Sequence, residues 1–358
     1  MRLSGLNLGG FFSQVKDDVF IDSHLDTFIT NDDFKRIKAW GFNSVRLPVD
    51  YFFFETAPFK FDESRLKRIE NVLAMAEKNK LTAVLDLHKT AGHSFDFKER
   101  FNNTIWDKSS DSGKRFLNVW DMLSKRFKNH ENVIYELLNE PVAHDANDLN
   151  AMYDRAIEAI RSNDKYHSIM LESNLWGICG QFPLLKKFDD NNIIYSFHFY
   201  EPVITTHQFA PWMSYVIHDI YKKAVDYPGQ PEGLKGVVEK LKVTDDKMAE
   251  VLENNDKFWD INGLEDLMKP MIDFKTKHNV PVYCGEFGCV VLAPPKTRQN
   301  WTDDVMTLLN KYSIGFGYWS YKNMDFGVVD YTQQYKDNPN YDTNRTDAAM
   351  LKILQKGI

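Results

Sequence analysis

The sequence predicts an α/β fold, a (β/α)8 TIM barrel with a helical insertion after strand 6. Three observations indicate this fold. Short apolar runs typical of buried parallel strands alternate with segments whose apolar residues recur at helical spacing. Eight such strands within 358 residues fit one barrel. Polar residues also stand at the predicted carboxyl ends of several strands, where such barrels carry their functional groups.

Each predicted strand is an apolar or aromatic run that stops at a residue typical of turns. The first strand stops at Gly9 and Gly10, and the fourth stops before Pro141, which cannot continue a sheet ladder. The fourth run is apolar or aromatic except for Glu136, as expected of a strand buried on both faces. The eight predicted strands cover residues 3–8, 44–49, 81–88, 133–138, 168–172, 193–200, 281–287 and 314–321.

The helices between the strands begin and end at residues that favour helix termini. Thr30 predicts the start of a helix that Gly41 ends, and Asp62 predicts the start of the next one. A last helix is predicted at about 347–355. The apolar positions at helical spacing are Leu66, Ile69, Leu73 and Ala76; Phe116, Val119, Trp120, Leu123 and Phe127; and Leu149, Met152, Tyr153, Ala156 and Ile160.

A doubly wound parallel sheet is the competing fold. It would require a glycine-rich phosphate turn, Gly-x-Gly-x-x-Gly, after the first strand, but the sequence at 8–12 is Leu-Gly-Gly-Phe-Phe. The chain also has neither a Walker motif nor a Gly-x-Ser-x-Gly elbow. The sequence therefore favours the barrel.

The interval between the sixth and seventh strands is much longer than the others. It predicts a helical insertion at about 206–259, which in a barrel would overhang the carboxyl face. Phe209 and Trp212 in this segment are candidates to line a cleft, or alternatively to form the insertion's own core. Because no linker or repeat is visible, we expect one catalytic domain over 1–358.

The composition excludes several classes of protein. The formal charge of −7 and the lack of a basic run argue against nucleic acid and suit a neutral substrate. Three cysteines, Cys179, Cys284 and Cys289, are too few for a disulfide framework, and we expect them to be buried. No apolar run reaches the roughly 18 residues of a membrane span. We expect a soluble monomer, either cytoplasmic or secreted with its leader absent from this sequence.

Two glutamates stand at the carboxyl ends of predicted strands. Glu140, next to Asn139, follows the fourth strand, and Glu286 ends the seventh within an apolar run. A buried carboxylate is unfavourable without a partner, so its presence needs a reason. Two carboxyl groups in different environments are what glycoside hydrolysis uses, because one must protonate the leaving oxygen while the other attacks the anomeric carbon.

Five further side chains are predicted near the same mouth. Arg46, at the end of the second strand, could hold a carboxylate ionised by bidentate hydrogen bonding. His88 ends the third strand, and His198 and Tyr200 share one face of the sixth. The indole of Trp319, in the eighth strand, can stack on a sugar ring.

Each of these residues alone also has a structural interpretation. A strand-end glutamate is commonly a salt-bridge partner, and a buried histidine is commonly a packing residue. Arg46 could pair inside the barrel with Glu136, which shares a face with Glu140 one layer deeper, and we assign Glu136 that structural role. A functional site is favoured because five different strands place an ionisable or amide group at the same end.

Other ionisable residues form no recognisable site. Lys89 and Lys322 lie near the predicted mouth, but neither has the apolar mid-strand position of a Schiff-base lysine. No histidine spacing fits a metal site, so we expect no metal ion. The histidines concerned are His93, His130, His144, His167 and His278.

Six motifs follow one another in order along nearly the whole chain. They are Ser-Val-Arg-Leu-Pro-Val at 44–49, Leu-Asp-Leu-His at 85–88, Leu-Asn-Glu-Pro at 138–141, His-Phe-Tyr at 198–200, Gly-Glu-Phe-Gly at 285–288, and Trp319. In this order they resemble the family 5 glycoside hydrolases of clan A, the cellulase-type barrels. Thr-Phe-Ile-Thr at 27–30, Thr-His-Gln at 206–208 and Tyr-Pro-Gly-Gln at 227–230 are similar to bacterial endoglucanases of the clostridial endoglucanase C type.

The resemblance implies retaining hydrolysis of β-1,4-linked glucans, cellulose-type or mixed-linkage, without a metal or organic cofactor. Glu140 would be the general acid/base and Glu286 the nucleophile. Asn139 would bond the 2-hydroxyl of the sugar in the −1 subsite. The binding partner would be a polysaccharide or oligosaccharide.

The resemblance also implies roles for the supporting residues. Arg46 and Tyr200 would orient the nucleophile and keep it ionised, and His198 would contact the acid/base or the sugar. His88 would contact the −1 sugar, and Trp319 would be its platform.

Alternatives stay open at this point. Lys89 stands where close relatives tend to carry a second histidine, which leaves the subsite preference open. The substrate could instead be β-mannan or glucomannan, or β-1,3-glucan attacked from the chain end. A non-catalytic carbohydrate-binding barrel is disfavoured because both Glu140 and Glu286 are present. Retention predicts carboxyl groups about 5–5.5 Å apart, and inversion about 6.5–9.5 Å.

Overall fold

Eight parallel strands form a closed barrel in which each strand pairs with the next along the chain and the last pairs with the first. The structure is a computed structural model that describes residues 2–96, 99, 102–213, 221–244, 246–329 and 345–358. The predicted (β/α)8 barrel is confirmed, and the doubly wound sheet is excluded. The barrel strands are β1 (Ser4–Asn7), β2 (Ser44–Asp50), β3 (Thr82–Lys89), β4 (Val133–Glu136), β5 (Ile169–Glu172), β6 (Ile193–Phe199), β7 (Val282–Phe287) and β8 (Gly315–Tyr318).

Helices surround the barrel and bury its outer face. The longer ones are α1 (Asn31–Ala39), α2 (Glu63–Lys78), α3 (Asp111–Phe127), α4 (Ala146–Asn163), α5 (Leu234–Thr244), α6 (Asp246–Glu253), α7 (Ile261–His278), α8 (Pro295–Lys311) and α9 (Ala348–Leu354). Shorter α-helical turns are Asp22–Thr27, Tyr51–Phe54, Asn174–Gly177 and Val203–Thr206. The 3₁₀ turns are Lys16–Asp18, Cys179–Leu184, Pro211–Met213 and Gln355–Gly357, and a small hairpin pairs Glu55–Ala57 with Lys60–Phe61.

The helix starts predicted at Thr30 and Asp62 are confirmed. The backbone amide and the hydroxyl of Thr30 donate to Asp33 Oδ2 at 2.8 and 3.0 Å. The carboxylate of Asp62 accepts from the backbone amides of Ser64 and Arg65 at 2.8 and 3.1 Å. These contacts satisfy amides that the first turn of a helix leaves unpaired.

The helical segment after β5 is much shorter than the helices of the other units. β5 is followed only by the short turns Asn174–Gly177 and Cys179–Leu184. The second turn packs against α7, where the ring of Phe182 meets that of Phe274 edge-on. The apolar surface that a helix would have buried is thus covered by a neighbouring helix, and the segment after β5 can be shaped by the site.

The long interval between β6 and α7 contains α5 and α6. Two of its buried residues, Tyr227 and Trp259, belong to the main core. Seven others form a separate apolar cluster: Ile204, Tyr221, Val225, Leu234, Val238, Ala249 and Leu252. The limits 206–259 for an insertion subdomain, and the single domain over 1–358, stay predictions.

The main hydrophobic core lies between the strands and the helices. A smaller apolar layer fills the bottom of the barrel and consists of Val84, Ile134, Met170 and Tyr283. Asp86, Glu136 and Glu172 each come two residues after a member of this layer, so their side chains point to the same interior. A buried layer of ionisable side chains therefore lies directly above an apolar floor.

The predicted burial of the three cysteines is confirmed, and all three are free thiols. Within the described ranges, no helix combines the length and the apolar character needed to cross a bilayer.

Candidate active site

The carboxyl ends of the strands bring together the two glutamates selected from the sequence. Glu140 follows β4, Glu286 lies in β7, and His198 of β6 lies between them. A carboxylate oxygen of each glutamate and a ring nitrogen of His198 all lie within 4.8 Å of one another. Glu286 is buried, whereas the side chain of Glu140 is 18% exposed. The pair therefore faces a common space, with Glu140 nearer to solvent.

Arg46 is the cation beneath this pair. It was assigned to the end of the second strand, but it is the third residue of β2, and its side chain is fully buried. Its Nη1 donates to Glu286 Oε1 at 2.6 Å, and its Nε donates to Glu136 Oε2 at 2.5 Å. Its Nη2 donates to Asn139 Oδ1 at 2.9 Å. One guanidinium thus makes both the contact with Glu136 and the contact with Glu286.

Asn7 and Asp86 complete the surroundings of Arg46. Asn7 Oδ1 accepts from Nη1 at 3.0 Å, and Asp86 Oδ2 lies 3.0 Å from Nη2. Burial opposes the charge on Arg46, but the nearby carboxylates, Asp86 foremost, hold its pKa well above its usual value. The site therefore contains a permanent positive charge.

The two glutamates differ in what surrounds them. Glu286 receives hydrogen bonds from Arg46 at Oε1 and from the Tyr200 hydroxyl at Oε2, the latter at 2.9 Å. Burial raises the pKa of both carboxyls. Arg46 and Tyr200 oppose this rise in Glu286, whereas the negative charge of Glu286 adds to it in Glu140. A proton shared by the pair is therefore held on Glu140.

His198 lies where β6 and β7 shift register. The shift occurs between Phe197 and His198, opposite Gly285, where a Cβ atom would come within 3.2 Å of His198 Nε2. Burial lowers the pKa of His198 well below its usual value, so the ring is neutral. Its Nδ1 lies 3.2 Å from Glu140 Oε1 and 3.6 Å from Glu286 Oε2. The ring therefore bridges the two carboxyl groups.

His88 and Trp319 form one wall of the site. His88 Nδ1 lies 2.8 Å from Asp86 Oδ2, and burial lowers the pKa of His88 to about 4. With Nδ1–H donated to Asp86, Nε2 is left as an acceptor, and it has no hydrogen-bond partner among the described residues. Trp319, predicted within β8, lies just after it, because the ladder ends at the mouth. Its indole is nearly parallel to the His88 ring, at 8° and a centroid distance of 5.9 Å.

Trp212 lies further out. Its side chain is 43% exposed, and its ring is centred 6.3 Å from those of His207 and Phe326. Both of these rings contact Tyr200, at 5.0 and 5.9 Å. Trp212 therefore ends an aromatic series that leads outward from the glutamates, while Phe209 is partly buried.

Lys89, the last residue of β3, is engaged in ion pairs. Its Nζ lies 3.0 Å from Asp18 Oδ1 and 3.8 Å from Asp50 Oδ2. It also lies 5.4 Å from the centre of the Phe52 ring. The ammonium group therefore joins the loop after β1 to the ends of β2 and β3.

Two groups of side chains in the described ranges have the spacing of metal ligands. They are Glu140, His198 and Glu286, and Glu136, Glu172 and His198. Each group includes a carboxylate already bonded to Arg46, which supplies the positive charge that a metal ion would otherwise bring. These carboxylates are therefore better suited to pairing with arginine than to binding a metal ion. The expectation of no metal stays a prediction.

Three polar residues near Arg46 and Glu140 were not selected from the sequence: Asn7, Asp86 and Glu172. Asp86 shares a strand face with His88, and Glu172 ends β5, so each carried the signal that was used to select Glu140. Asn7 ends β1, but the strand was predicted to continue to residue 8, so its amide was not recognised as a strand-end group.

A parallel (β/α)8 barrel whose mouth brings two carboxyl groups this close together, one bonded to arginine and one not, has the arrangement that glycoside hydrolysis uses. The comparisons with known proteins agree. The family described as Cellulase (glycosyl hydrolase family 5) matches residues 20–325, and the chain belongs to this family.

Individual relatives extend the match to most of the chain. Endoglucanase C of Acetivibrio thermocellus is 36% identical over 329 residues, which are 91% of this chain and 92% of that protein. Cellodextrinase A of Ruminococcus flavefaciens is 30% identical over 315 residues, covering 87% and 83%. A solved structure described as an endoglucanase has the same fold, with a TM-score of 0.73, 24% identity, and 98% and 96% coverage.

Proposed function

We propose that this protein is a retaining endo-β-glucanase that hydrolyses β-1,4-linked glucans, both cellulose-type chains and mixed-linkage β-1,3-1,4-glucan. The observation that carries the proposal is the separation of at most 4.8 Å between carboxylate oxygens of Glu140 and Glu286. Carboxyl groups about 5–5.5 Å apart suit a covalent double displacement, whereas inversion needs about 6.5–9.5 Å to admit a water molecule. The 36% identity to an endoglucanase supports the substrate class.

In the first step, Glu286 is the nucleophile and Glu140 the general acid. A carboxylate oxygen of Glu286 attacks the anomeric carbon, the bond from that carbon to the leaving oxygen breaks, and the proton of Glu140 passes to this oxygen. Arg46 and Tyr200 each bond a different oxygen of Glu286, so the carboxylate is held ionised and oriented.

In the second step, Glu140 is the general base. Water gives a proton to Glu140 and attacks the anomeric carbon, and the ester bond to Glu286 breaks. Formation of the ester removes the negative charge of Glu286, which is one cause of the raised pKa of Glu140. Glu140 therefore becomes more acidic when its role changes from acid to base.

Three residues would hold the −1 sugar. Because Asn139 Oδ1 accepts from Arg46, its amino group is the part that can donate to the sugar 2-hydroxyl. The free Nε2 of His88 would accept from a sugar hydroxyl, and the indole of Trp319 would stack on the apolar sugar face. Trp212 would provide a second platform further out.

We further propose that the enzyme acts as a monomer on a polysaccharide and uses no metal ion or organic cofactor. A second candidate substrate is a short cello-oligosaccharide, which the similarity to cellodextrinase A favours. If the segment between β6 and α7 closed one end of the cleft, the enzyme would cleave such oligosaccharides from the chain end.

The test is reducing-sugar release from barley mixed-linkage β-glucan, carboxymethylcellulose and glucomannan. Wild type should hydrolyse the two glucans. Glu140→Ala and Glu286→Ala should each lower the rate by about 10²-fold or more, because each removes a group that forms or breaks a bond in the reaction. Glu158→Ala, an exposed glutamate on α4, is the matched control and should keep wild-type activity.

Three outcomes would contradict parts of the proposal. Hydrolysis of glucomannan alone would overturn the glucan substrate but keep the mechanism. Hydrolysis at the wild-type rate by both Glu140→Ala and Glu286→Ala would overturn the roles assigned to the two glutamates. Sugar release from carboxymethylcellulose without a fall in viscosity would overturn endo action, since only internal cleavage shortens the polymer quickly.

A further inference from the structure

The backbone of Glu140 is held in an uncommon conformation by a side chain from the neighbouring strand. Its φ angle is +46°, in the left-handed region that residues other than glycine seldom adopt. Its backbone amide donates to Glu172 Oε2 at 2.9 Å. Glu172 is the last residue of β5 and is fully buried. The conformation of the proposed acid therefore depends on an acceptor outside its own turn.

Further contacts join the segments after β4 and β5. The Ala143 amide donates to Asn174 Oδ1 at 2.9 Å, and Asn174 Nδ2 donates to the Ala143 carbonyl at 3.0 Å. The Trp176 amide donates to the Pro141 carbonyl at 3.3 Å. The two segments are therefore also connected just beyond Glu140 and Glu172, on the C-terminal side of both residues.

The carboxyl of Glu172 is closely confined. Gly177, with φ +73°, passes so near that a Cβ atom there would lie 2.0 Å from Glu172 Oε1. The Tyr153 hydroxyl donates to the Glu172 carbonyl at 2.8 Å. Glu172 Oε1 has no hydrogen-bond partner in the described part of the chain and lies 3.5 Å from His198 Nδ1. One carboxyl oxygen thus serves the Glu140 backbone, and the other faces the ring beside the Glu140 side chain.

The charge state of Glu172 suits this position. Burial, and then the charges of Glu136 and Glu140, raise the pKa of Glu172 well above its usual value. A neutral carboxyl can accept from the amide of Glu140 without placing another negative charge beside it.

We propose that Glu172 is a positioning residue for the acid/base: by bonding the backbone amide of Glu140, it fixes the turn from which the Glu140 carboxyl reaches the glycosidic oxygen. The inference rests on the proposed function. Without this acceptor the turn relaxes and the carboxyl of Glu140 moves, while Glu286 keeps Arg46 and Tyr200 as partners. Steps in which Glu140 gives or takes a proton are therefore slowed. In kcat/KM, which reports formation of the glycosyl-enzyme, the loss is confined to leaving groups that need the proton of Glu140.

The experiment compares kcat/KM for two cellobiosides that differ in their leaving group. Phenolate is a poor leaving group that needs protonation, whereas 2,4-dinitrophenolate departs without it. Glu172→Ala should lower kcat/KM for phenyl β-cellobioside about 10²-fold, as a misplaced catalytic group does, and change that for the dinitrophenyl substrate less than about threefold. Glu172→Gln keeps the acceptor oxygen and should stay near wild type on both substrates.

Glu136→Gln is the matched control, since Glu136 is a second buried carboxyl but contacts Arg46 on the nucleophile side. It should lower kcat/KM for both substrates by the same factor. If Glu172→Ala does not fold by circular dichroism, Gly177→Ala displaces the same carboxyl and should show the same dependence on the leaving group.

Equal losses on both cellobiosides in the folded variant would overturn the inference and leave Glu172 a purely structural residue. A loss in Glu172→Gln as large as in Glu172→Ala would also overturn it. Failure of the proposed function is recognised separately, because wild type would then hydrolyse neither cellobioside.

Discussion

Arg46 decides which of the two glutamates at the barrel mouth is ionised. It is fully buried and bonds Glu286 at 2.6 Å, while Glu140 contacts the neutral ring of His198. Burial alone would raise the pKa of both carboxyls. The unequal distribution of one positive charge is therefore what gives two chemically identical side chains different roles.

The first residue-scale prediction concerns pH. The acid must be protonated and the nucleophile ionised, so kcat/KM for p-nitrophenyl β-cellobioside should be bell-shaped. Activity should fall as pH drops through the pKa of Glu286, and fall again as pH rises through the raised pKa of Glu140. Glu140→Gln should be much slower and should lose the alkaline limb, because its amide does not titrate. An unchanged alkaline limb in this variant would assign that limb to another group.

At the scale of elements, irregular backbone at the carboxyl ends of the strands shapes the site. The turn after β4 is held by the last residue of β5, and the register shift between β6 and β7 admits the His198 ring beside Gly285. The segment after β6 carries Trp212, whose ring follows those of His207 and Phe326 outward from the active site.

A prediction at this scale concerns Trp212. If its exposed indole is a platform for a sugar outside the −1 subsite, Trp212→Ala should lower kcat/KM for cellopentaose roughly tenfold, the loss of about 1.4 kcal/mol of stacking. The effect on p-nitrophenyl β-cellobioside should be smaller, and Trp212→Phe should retain most activity on both substrates.

The control for Trp212 is Tyr166→Ala. Tyr166 is 86% exposed but precedes β5, at the opposite end of the barrel. The platform would be contradicted if Tyr166→Ala lowered kcat/KM for cellopentaose as much as Trp212→Ala. It would also be contradicted if Trp212→Ala lowered kcat/KM equally for cellopentaose and p-nitrophenyl β-cellobioside.

The strands could be predicted from the sequence because their signals are local. An apolar run that stops at glycine or proline identifies a buried parallel strand without knowledge of its neighbours. The short length of the helical turns after β5 could not be predicted in this way, because α7 from elsewhere in the chain covers that surface. The depth of Arg46 was also misjudged, because its buried carboxylate partners lie on three other strands and cannot be identified from its own strand.

At the scale of the whole molecule, closure of the barrel brings ionisable side chains from several strands around the guanidinium of Arg46. Arg46 bonds carboxylates from three strands, and Asn7 and Asn139 fill its remaining contacts. The candidate site could be predicted because groups at the ends of five strands converge only in a barrel. Glu172 carried the same strand-end signal as Glu140, but the sequence does not reveal that its carboxyl meets the backbone amide of Glu140.

The double displacement is tested most directly by trapping the glycosyl-enzyme. With 2,4-dinitrophenyl 2-deoxy-2-fluoro-β-cellobioside, the fluorine slows both displacements while the good leaving group lets the first proceed, so the intermediate accumulates. We predict that mass spectrometry of a protease digest will find the fluorocellobiosyl group on Glu286 in wild type, and no label in Glu286→Ala. A label on Glu140 or another residue, or turnover without a label and with inverted product, would contradict the double displacement proposed here.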